Sequence, residues 1–390
     1  MSGRALVWVK AALLLLMAST VLSSSPSLTR NDLQHDDRCN ENDLVNHPVL
    51  CSMVDRWLED PLGMSRVLRE WAHTHGLLVD IDPVVSVPQE EQRRRLGSGS
   101  KDLPIVFAHG MGDSCFNSGF QNLVKRTSAL MGGVYAICVP TGDTQTQDTN
   151  NGYFLNMDAS VEVFADKIRQ DPQLAGGFHA IGLSQGNNVI RGYIAKHNDP
   201  PVHTFLSING VNAGEGAVPY CEPSKQQEQA PSGLALPSMC DLLMEQASRA
   251  AYTSYAQHHS FQANYWRDPR ESEFPTYQKH SQLAQWNNEG LVVNQTLKEN
   301  YAKTSRFVWV LATQDGMVWP KEGEQWGAPD PKDPFQHILP REQTAWYIND
   351  LFGLRTAEEA GKNVYESFEG DHLAFSTDEY DGWVTKYLTV

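Results

Sequence analysis

From Leu103 onward, short apolar runs are followed by glycine-bearing turns and then by segments with helical periodicity. That alternation is the signature of a parallel sheet joined by crossover helices. The pattern predicts strands at 105–108, 135–139, 178–181, 204–208 and 307–311, with 364–368 as the last. Between the second and third, Val161, Phe164, Ala165 and Ile168 recur at i, i+3, i+4 and i+7 and predict one face of a helix. After the third, Val189, Ile190, Tyr193 and Ile194 predict another helix with an apolar inner face. Residues 214–304 break the rhythm with helix-like segments rich in aromatics, among them Tyr252, Tyr255, Phe261, Tyr265, Trp266 and Trp286. They read as an insertion over the sheet's ligand-binding edge, its aromatics filling a core of their own or lining an apolar groove. The expected class is α/β, a mostly parallel sheet with flanking helices and an inserted helical cap.

The amino-terminal hundred residues follow a different pattern. Arg4 and Lys10 precede an apolar run at 11–22, and Ser23, Ser24 and Ser25 follow it. As a helix the run would rise about 18 Å, short of a hydrocarbon core of about 30 Å. Residues 1–25 therefore read as a cleaved signal peptide, and the mature protein is expected in the secretory pathway without a membrane span. Residues 26–100 read as an extension and linker, with a helix around 54–73. They end in the charge cluster 89–95 and Gly97-Ser98-Gly99-Ser100, an exposed tether. The catalytic domain is expected at 101–390.

Composition narrows the function. With 41% hydrophobic and 20% charged residues the chain is a folding one, and 31 Lys+Arg against 47 Asp+Glu give a net charge of -16. Such a chain repels a phosphate backbone, so no nucleic-acid partner is expected. In an oxidising compartment the six cysteines read as pairs. Sequence proximity favours Cys39 with Cys51 and Cys221 with Cys240, leaving Cys115 with Cys138. Asn294-Gln295-Thr296 is the one N-x-S/T acceptor, a candidate glycosylation site on the surface. There is no CxxC, no HExxH and no Walker loop, so neither a metal nor a cofactor is expected.

Gly182-Leu183-Ser184-Gln185-Gly186 carries the chemistry, because it lies where a predicted strand ends and a predicted helix begins. A serine presented on so sharp a turn needs small flanking residues, which the two glycines supply. Its hydroxyl needs a histidine base, and the histidine needs a carboxylate that fixes its tautomer. In chain order Ser, acid, His, the candidates are Asp315, just after the fifth strand, and His372, just after the last. His258, His259, His280 and His337 lack such a strand-to-loop setting, Asp330 and Asp333 lie in a proline-rich loop, and Asp371 adjoins His372 too closely to reach its ring. The oxyanion formed on attack needs aimed N–H donors. Gln185 follows the nucleophile, and Met111 lies in the loop His109-Gly110-Met111-Gly112-Asp113 after the first strand.

These motifs, with Ala263-Asn264-Tyr265-Trp266-Arg267-Asp268-Pro269 and Glu369-Gly370-Asp371-His372-Leu373, resemble the palmitoyl-protein thioesterase family from about Leu103 to the carboxyl terminus. The resemblance implies an α/β-hydrolase fold with a helical insertion along an acyl groove. It also implies Ser184, Asp315 and His372 as triad, Met111 and Gln185 as oxyanion donors, and hydrolysis of fatty acyl thioesters on proteins or peptides in the lysosome or a comparable acidic compartment. Phe116 stands where the family has a second cysteine after the glycine loop, which supports Cys115 with Cys138; Cys221 and Cys240 fit a bridge in the insertion. Asn187 and Asn188 replace the family's glycine after the elbow, and a differently shaped groove is expected there. The residues themselves imply a serine hydrolase; the thioester comes from the resemblance. An oxygen-ester hydrolase or lipase with the same triad, and a non-catalytic lipid-binding protein, are the alternatives.

Overall fold

A computed structural model describes residues 103–221 and 239–389, with positions 70, 73–74, 76, 78 and 81–83 before them. The expected signal peptide, the charged tether and the Cys39–Cys51 pair lie outside the described residues.

The apolar runs become strands β1 (Ile105–Ala108), β2 (Ala136–Cys138), β3 (Phe178–Leu183), β4 (Val202–Ile208) and β5 (Arg306–Ala312). A small antiparallel pair, β6 (Ala328–Pro329) and β7 (Ile338–Leu339), precedes β8 (Asn363–Phe368). Six of these strands form one parallel sheet in the order β2-β1-β3-β4-β5-β8. Both faces are covered, as parallel sheets require. Ile105 and Phe107 of β1 join one apolar cluster and Val106 and Ala108 the other; Val308 and Val310 of β5 likewise oppose Phe307 and Trp309. This two-residue alternation places one helical layer on each side.

Helix α1 (Ser118–Leu130) contributes Phe120 and Leu123 to the first cluster, while α2 (Gln145–Phe154) and α3 (Met157–Gln170) lead into β3. In α3, Val161, Phe164, Ala165 and Ile168 are fully buried, the face that their spacing predicts. Helix α4 (Gly186–Lys196) differs from its expected one-sided burial: every residue from Gly186 to Ala195 is buried, Asn187, Asn188 and Arg191 included. It is enclosed from several sides. A Cβ on Gly192 would lie 2.5 Å from Val161 of α3 and from Trp286, and Asn300 Nδ2 donates to Ala195 O at 3.0 Å.

Between β4 and β5 come α5 (Met239–Ala251), the short helices α6 (Ser254–His259), α7 (Phe261–Tyr265), α8 (Phe274–His280) and α9 (Gln282–Trp286), and then α10 (Gln295–Lys303). Asn300 belongs to α10, so that helix packs against α4 and the sheet layer. Helices α11 (Ala345–Ile348) and α12 (Leu354–Glu359) precede β8. The last helix, α13 (Thr377–Tyr387), opens with a Ser376–Glu379 capping box and packs Tyr380 and Trp383 with Phe120. No described helix is long and apolar enough to cross a membrane.

Part of the extension packs on this body: Ile81 is buried, and Arg126 Nη1 donates to Asp82 O at 2.9 Å. Cys115 and Cys138 form a disulfide with Cα atoms 5.4 Å apart, joining the loop after β1 to the end of β2. Cys221 is also disulfide-bonded; the side chain of Cys240, its expected partner, lies outside the described residues.

His179, fully buried on β3, has no hydrogen-bond partner at either ring nitrogen among the described residues. Burial, with His203 and Arg306 nearby, pushes its pKa down from 6.5 to about 3. The unfolded chain therefore takes up the proton first as the pH falls. Stability from this group is full above about pH 6.5 and is lost as the pH falls toward 3, by up to roughly 1.4 kcal/mol per pH unit. His179→Leu removes the titration, so urea unfolding should show the variant gaining on the native protein between pH 7 and pH 4.5. An unchanged difference would contradict the assignment.

Candidate active site

The strand order reverses at β1, whose neighbours are β2 and β3, and the carboxyl ends at such a switch point form the ligand crevice of an open α/β sheet. The loop after β1 and the turn after β3 meet there, because Ala108 pairs with Gly182 in the register. The turn has the geometry of a nucleophile elbow. Ser184 sits at φ 53°, in the left-handed region, and its N–H donates to Ile208 O at 3.0 Å. Glycine is required on both sides: a Cβ on Gly186 would fall 2.2 Å from Ala108 O, and one on Gly182 would fall 2.3 Å from Asn187 Oδ1.

Loops at the ends of β5 and β8 bring the other two candidates to the serine. His372 Nε2 lies 2.8 Å from Ser184 Oγ, and His372 Nδ1 lies 2.6 Å from Asp315 Oδ2. Asp315 accepts at Oδ2, so Nδ1 carries a hydrogen and Nε2 is free to take the serine's proton. All three side chains are buried. Asp315 Oδ1 accepts from the N–H groups of Met317 at 2.7 Å and Val318 at 2.8 Å. Burial opposes the charge on Asp315, but His372 and these donors outweigh it and hold the carboxyl below its ordinary range.

A second carboxyl, Glu324, shares a hydrogen bond with Asp315 and is fully buried; burial and Asp315 push it well above its ordinary range. Its Oε2 accepts from Asn209 Nδ2 at 2.8 Å and Ala312 N at 3.1 Å, and Asn209 Oδ1 accepts from Leu373 N at 3.0 Å. A neutral acid thus braces Asp315 and, through Asn209, the loop that carries His372. Asp371 does not reach the imidazole; its Oδ1 accepts from Gly316 N and His372 N, both at 2.8 Å, and so shapes the same loop. His258, His280 and His337 are exposed, His337 pairs with Asp330, and none of these three nor His259 lines the groove at Ser184.

Met111 lines that groove, and the adjoining Gly110 approaches the serine so closely that a Cβ on it would lie 3.1 Å from Ser184 Cβ. Among the described residues the N–H groups of Met111 and Gln185 have no protein acceptor. The Gln185 side chain is fastened away from the groove: Nε2 donates to Gly152 O at 2.6 Å, and Oε1 accepts from Gln262 Nε2 at 2.6 Å and Tyr265 OH at 3.3 Å.

The groove encloses about 640 Å³, mouth included, between the sheet edge and the segment before β5. Its walls are mostly apolar: Val211, Val218, Tyr265, Trp266, Met317 and Val318, with the small residues Ala247 and Ala251 one turn apart on α5. Of the aromatics expected to serve a groove or a core, Tyr265 and Trp266 line the groove, whereas Tyr252, Phe261 and Trp286 are buried away from it. Asn187 and Asn188, where a differently shaped groove is expected, do not themselves line it. Asn187 Nδ2 donates to Ser184 O and Ile208 O, both at 2.9 Å, and Asn188 Nδ2 donates to Val211 O at 3.0 Å, so both brace the elbow from within.

Sequence reasoning missed Glu324, Glu215 and Asp148. Glu215 lines the groove, accepts from Trp319 N at 2.9 Å, and is pushed well above its ordinary range by burial. Among the described residues, two clusters of histidine, cysteine and acid are tight enough for a cation: Asp315, Glu324 and His372, and His109, Cys115 and Asp148. In the first the groups bond to one another, and in the second Cys115 is in the disulfide.

A profile of the palmitoyl protein thioesterase family matches residues 104–372. The chain is 32% identical over 278 residues to palmitoyl-protein thioesterase 1 of Caenorhabditis elegans, covering 71% of this chain and 88% of that protein. It is 26% identical over 281 residues to palmitoyl-protein thioesterase 3 of Dictyostelium discoideum, covering 72% and 89%. It is 23% identical over 290 residues to lysosomal thioesterase PPT2 of Homo sapiens, covering 73% and 88%. The matched span runs from the start of β1 through His372 and so takes in every element that builds the elbow, the groove and the hydrogen-bonded Ser184–His372–Asp315 chain: the protein belongs to the palmitoyl protein thioesterase family.

Proposed function

We propose that the protein hydrolyses long-chain fatty acyl thioesters, palmitoyl above all, on the cysteines of proteins or peptides, through an acyl-Ser184 intermediate. The observation that carries the reading is the Ser184–His372–Asp315 hydrogen-bonded chain opening directly onto an apolar groove. Ser184 Oγ attacks the thioester carbonyl while His372 Nε2 takes its proton, and Asp315 stabilises the imidazolium. The oxyanion is received by the N–H groups of Met111 and Gln185. Collapse breaks the C–S bond, and the His372 imidazolium passes its proton to the departing sulfur, which restores the neutral base. Because a cysteine thiol has a pKa of about 8.5, the thiolate leaves with less acid assistance than an alkoxide needs. Water, deprotonated by His372, then attacks the acyl-serine, and the same proton returns to Ser184 Oγ as the fatty acid is released.

Protein substrates and lysosomal residence are part of the same reading, supported by relatives named palmitoyl-protein and lysosomal thioesterases. In it, Asn294, exposed at the start of α10, is the glycan acceptor. The test of the reading is the rate of an S-palmitoyl peptide against its matched O-palmitoyl ester. Strong thioester preference is expected; equal or faster cleavage of the oxygen ester would make the protein an esterase or lipase, and binding without turnover would make it a carrier.

Groove length gives a separate prediction. A larger side chain at Ala251 removes space that an acyl chain fills, at a cost of about 0.8 kcal/mol per methylene excluded. Ala251→Phe is expected to lower kcat/KM for palmitoyl by roughly tenfold or more while leaving a butyryl thioester within about twofold. Equal losses on both chains would remove α5 from the acyl site.

A further inference from the structure

The loop that holds the candidate oxyanion donor carries a buried histidine paired with a buried aspartate of α2, a pair that the triad does not use. His109, the first residue after β1, is buried with its Nε2 3.2 Å from Asp148 Oδ2 and its Nδ1 2.9 Å from Gly110 O. Asp148 belongs to α2 and is completely buried. It is an acceptor on every side: Oδ2 receives Ser114 Oγ at 2.8 Å and Cys115 N at 2.9 Å, and Oδ1 receives Thr141 N at 2.7 Å and Gly142 N at 3.2 Å. These four donors hold Asp148 as a carboxylate. His109 therefore faces one acceptor at each ring nitrogen, the Asp148 carboxylate and the Gly110 carbonyl. A neutral imidazole has a single N–H, so both contacts are satisfied together in the imidazolium form.

The Gly110 carbonyl is not an arbitrary acceptor. It belongs to the same peptide group as Met111 N–H, whose bond points the opposite way and whose dipole adds to that of the carbonyl. A cation that donates to the oxygen fixes the plane of that peptide and draws electron density from its nitrogen, which makes Met111 N–H a stronger and better aimed donor. Gly110 also packs against Ser184, so the oriented peptide stands beside the reacting atoms.

We propose that His109, held by Asp148, is a positioning residue of the oxyanion hole: a permanent imidazolium that orients and polarises the Gly110–Met111 peptide toward the negative charge formed on attack by Ser184. This rests on the reading of Ser184 as nucleophile and Met111 N–H as oxyanion donor. The electrostatics agree with the geometry. Burial works against the charge, but Asp148, with Asp113 more distantly, outweighs it and raises His109 to about 9, and the edge of Phe120 closes the site. The charge is thus present throughout the working range of a serine hydrolase.

The test compares two variants that mimic different halves of the ring. In His109→Asn the amide nitrogen takes the place of Nδ1 and can still donate to Gly110 O; in His109→Gln it takes the place of Nε2 and can reach only Asp148. Turnover of an S-palmitoyl peptide is measured beside two affinities, for a long-chain alkyl trifluoromethyl ketone, which forms a tetrahedral oxyanion on the serine, and for an S-hexadecyl thioether peptide, which forms none. His109→Gln should lose on the order of 10- to 100-fold in kcat/KM and a similar factor in ketone affinity, with thioether affinity unchanged, and His109→Asn should recover part of both losses. Equal loss of ketone and thioether binding, or a His109→Asn no better than His109→Gln, would overturn the proposal.

If the variants do not fold, the ring nitrogens of the native protein decide: ¹⁵N imidazole shifts at pH 7 should show His109 protonated at both, and a singly protonated ring would overturn the idea. Ser184→Ala, run in parallel, separates the two claims. Full turnover in Ser184→Ala defeats the nucleophile assignment and this proposal with it, whereas an inactive Ser184→Ala beside a native-like His109→Gln defeats the proposal alone.

Discussion

Replacing Ser184 with alanine should lower kcat for an S-palmitoyl peptide by roughly 10⁵- to 10⁶-fold, the scale seen when the nucleophile of a serine hydrolase is removed. The fold should survive, because the elbow depends on the Ser184 N–H bond to Ile208 O and on glycines 182 and 186, none of which the hydroxyl supports. Binding of a non-hydrolysable acyl ligand should also survive, since the groove walls are apolar side chains. Initial rates of thiol release, with thioether binding measured on the same preparation, check both halves. Loss of binding along with turnover would mean that the substitution disturbed the groove and not only the chemistry.

Asp315→Asn carries the second largest expected effect, a loss of about 10⁴-fold in kcat, and the local hydrogen bonds explain why. The N–H groups of Met317 and Val318 both donate to Oδ1, so an asparagine must place its carbonyl oxygen there. Its NH₂ then occupies the Oδ2 position and points a donor at His372 Nδ1, 2.6 Å away in the native protein. The ring must accept at Nδ1 and carry its hydrogen on Nε2, where it can no longer take the proton of Ser184. Steady-state turnover checks the size of the loss, and the ¹⁵N shifts of His372 check its cause. Retention of the Nδ1–H tautomer in Asp315→Asn would contradict this account.

The sheet and the three side chains that meet at its edge were both legible in the sequence for one physical reason. Strands buried on two faces are short continuous apolar runs, so 105–108 and 307–311 stand out, and side chains that act at a sheet's edge follow directly on such runs. Ser184, Asp315 and His372 each lie within a few residues of a strand end, which makes chain order and position enough to select them. The polar groups that support them carry no such signal. Asp148 lies in Gln145–Phe154, a helix with almost no apolar periodicity whose sequence mark is the Thr144 cap, yet its side chain organises the loop after β1. Glu324 lies in Lys321–Gln325, where three charged residues in a row of five read as a solvated turn; it is buried because that turn folds back over the end of β5. In both cases the burial is made by distant contacts, and a local pattern cannot encode it. Asn187 and Asn188 show the same limit from the other direction, since a departure from the family at the elbow could be seen but its destination under the turn could not.

Whether acyl transfer passes through Ser184 is decided by acid-quenching the protein during steady-state turnover of an S-palmitoyl peptide and locating any acyl group by peptide mass spectrometry. A palmitoyl ester is expected on the peptide containing Ser184, appearing with the first turnover and absent from Ser184→Ala. Full thiol release with no acyl-serine, in a protein whose Ser184→Ala variant still turns over, would contradict that route.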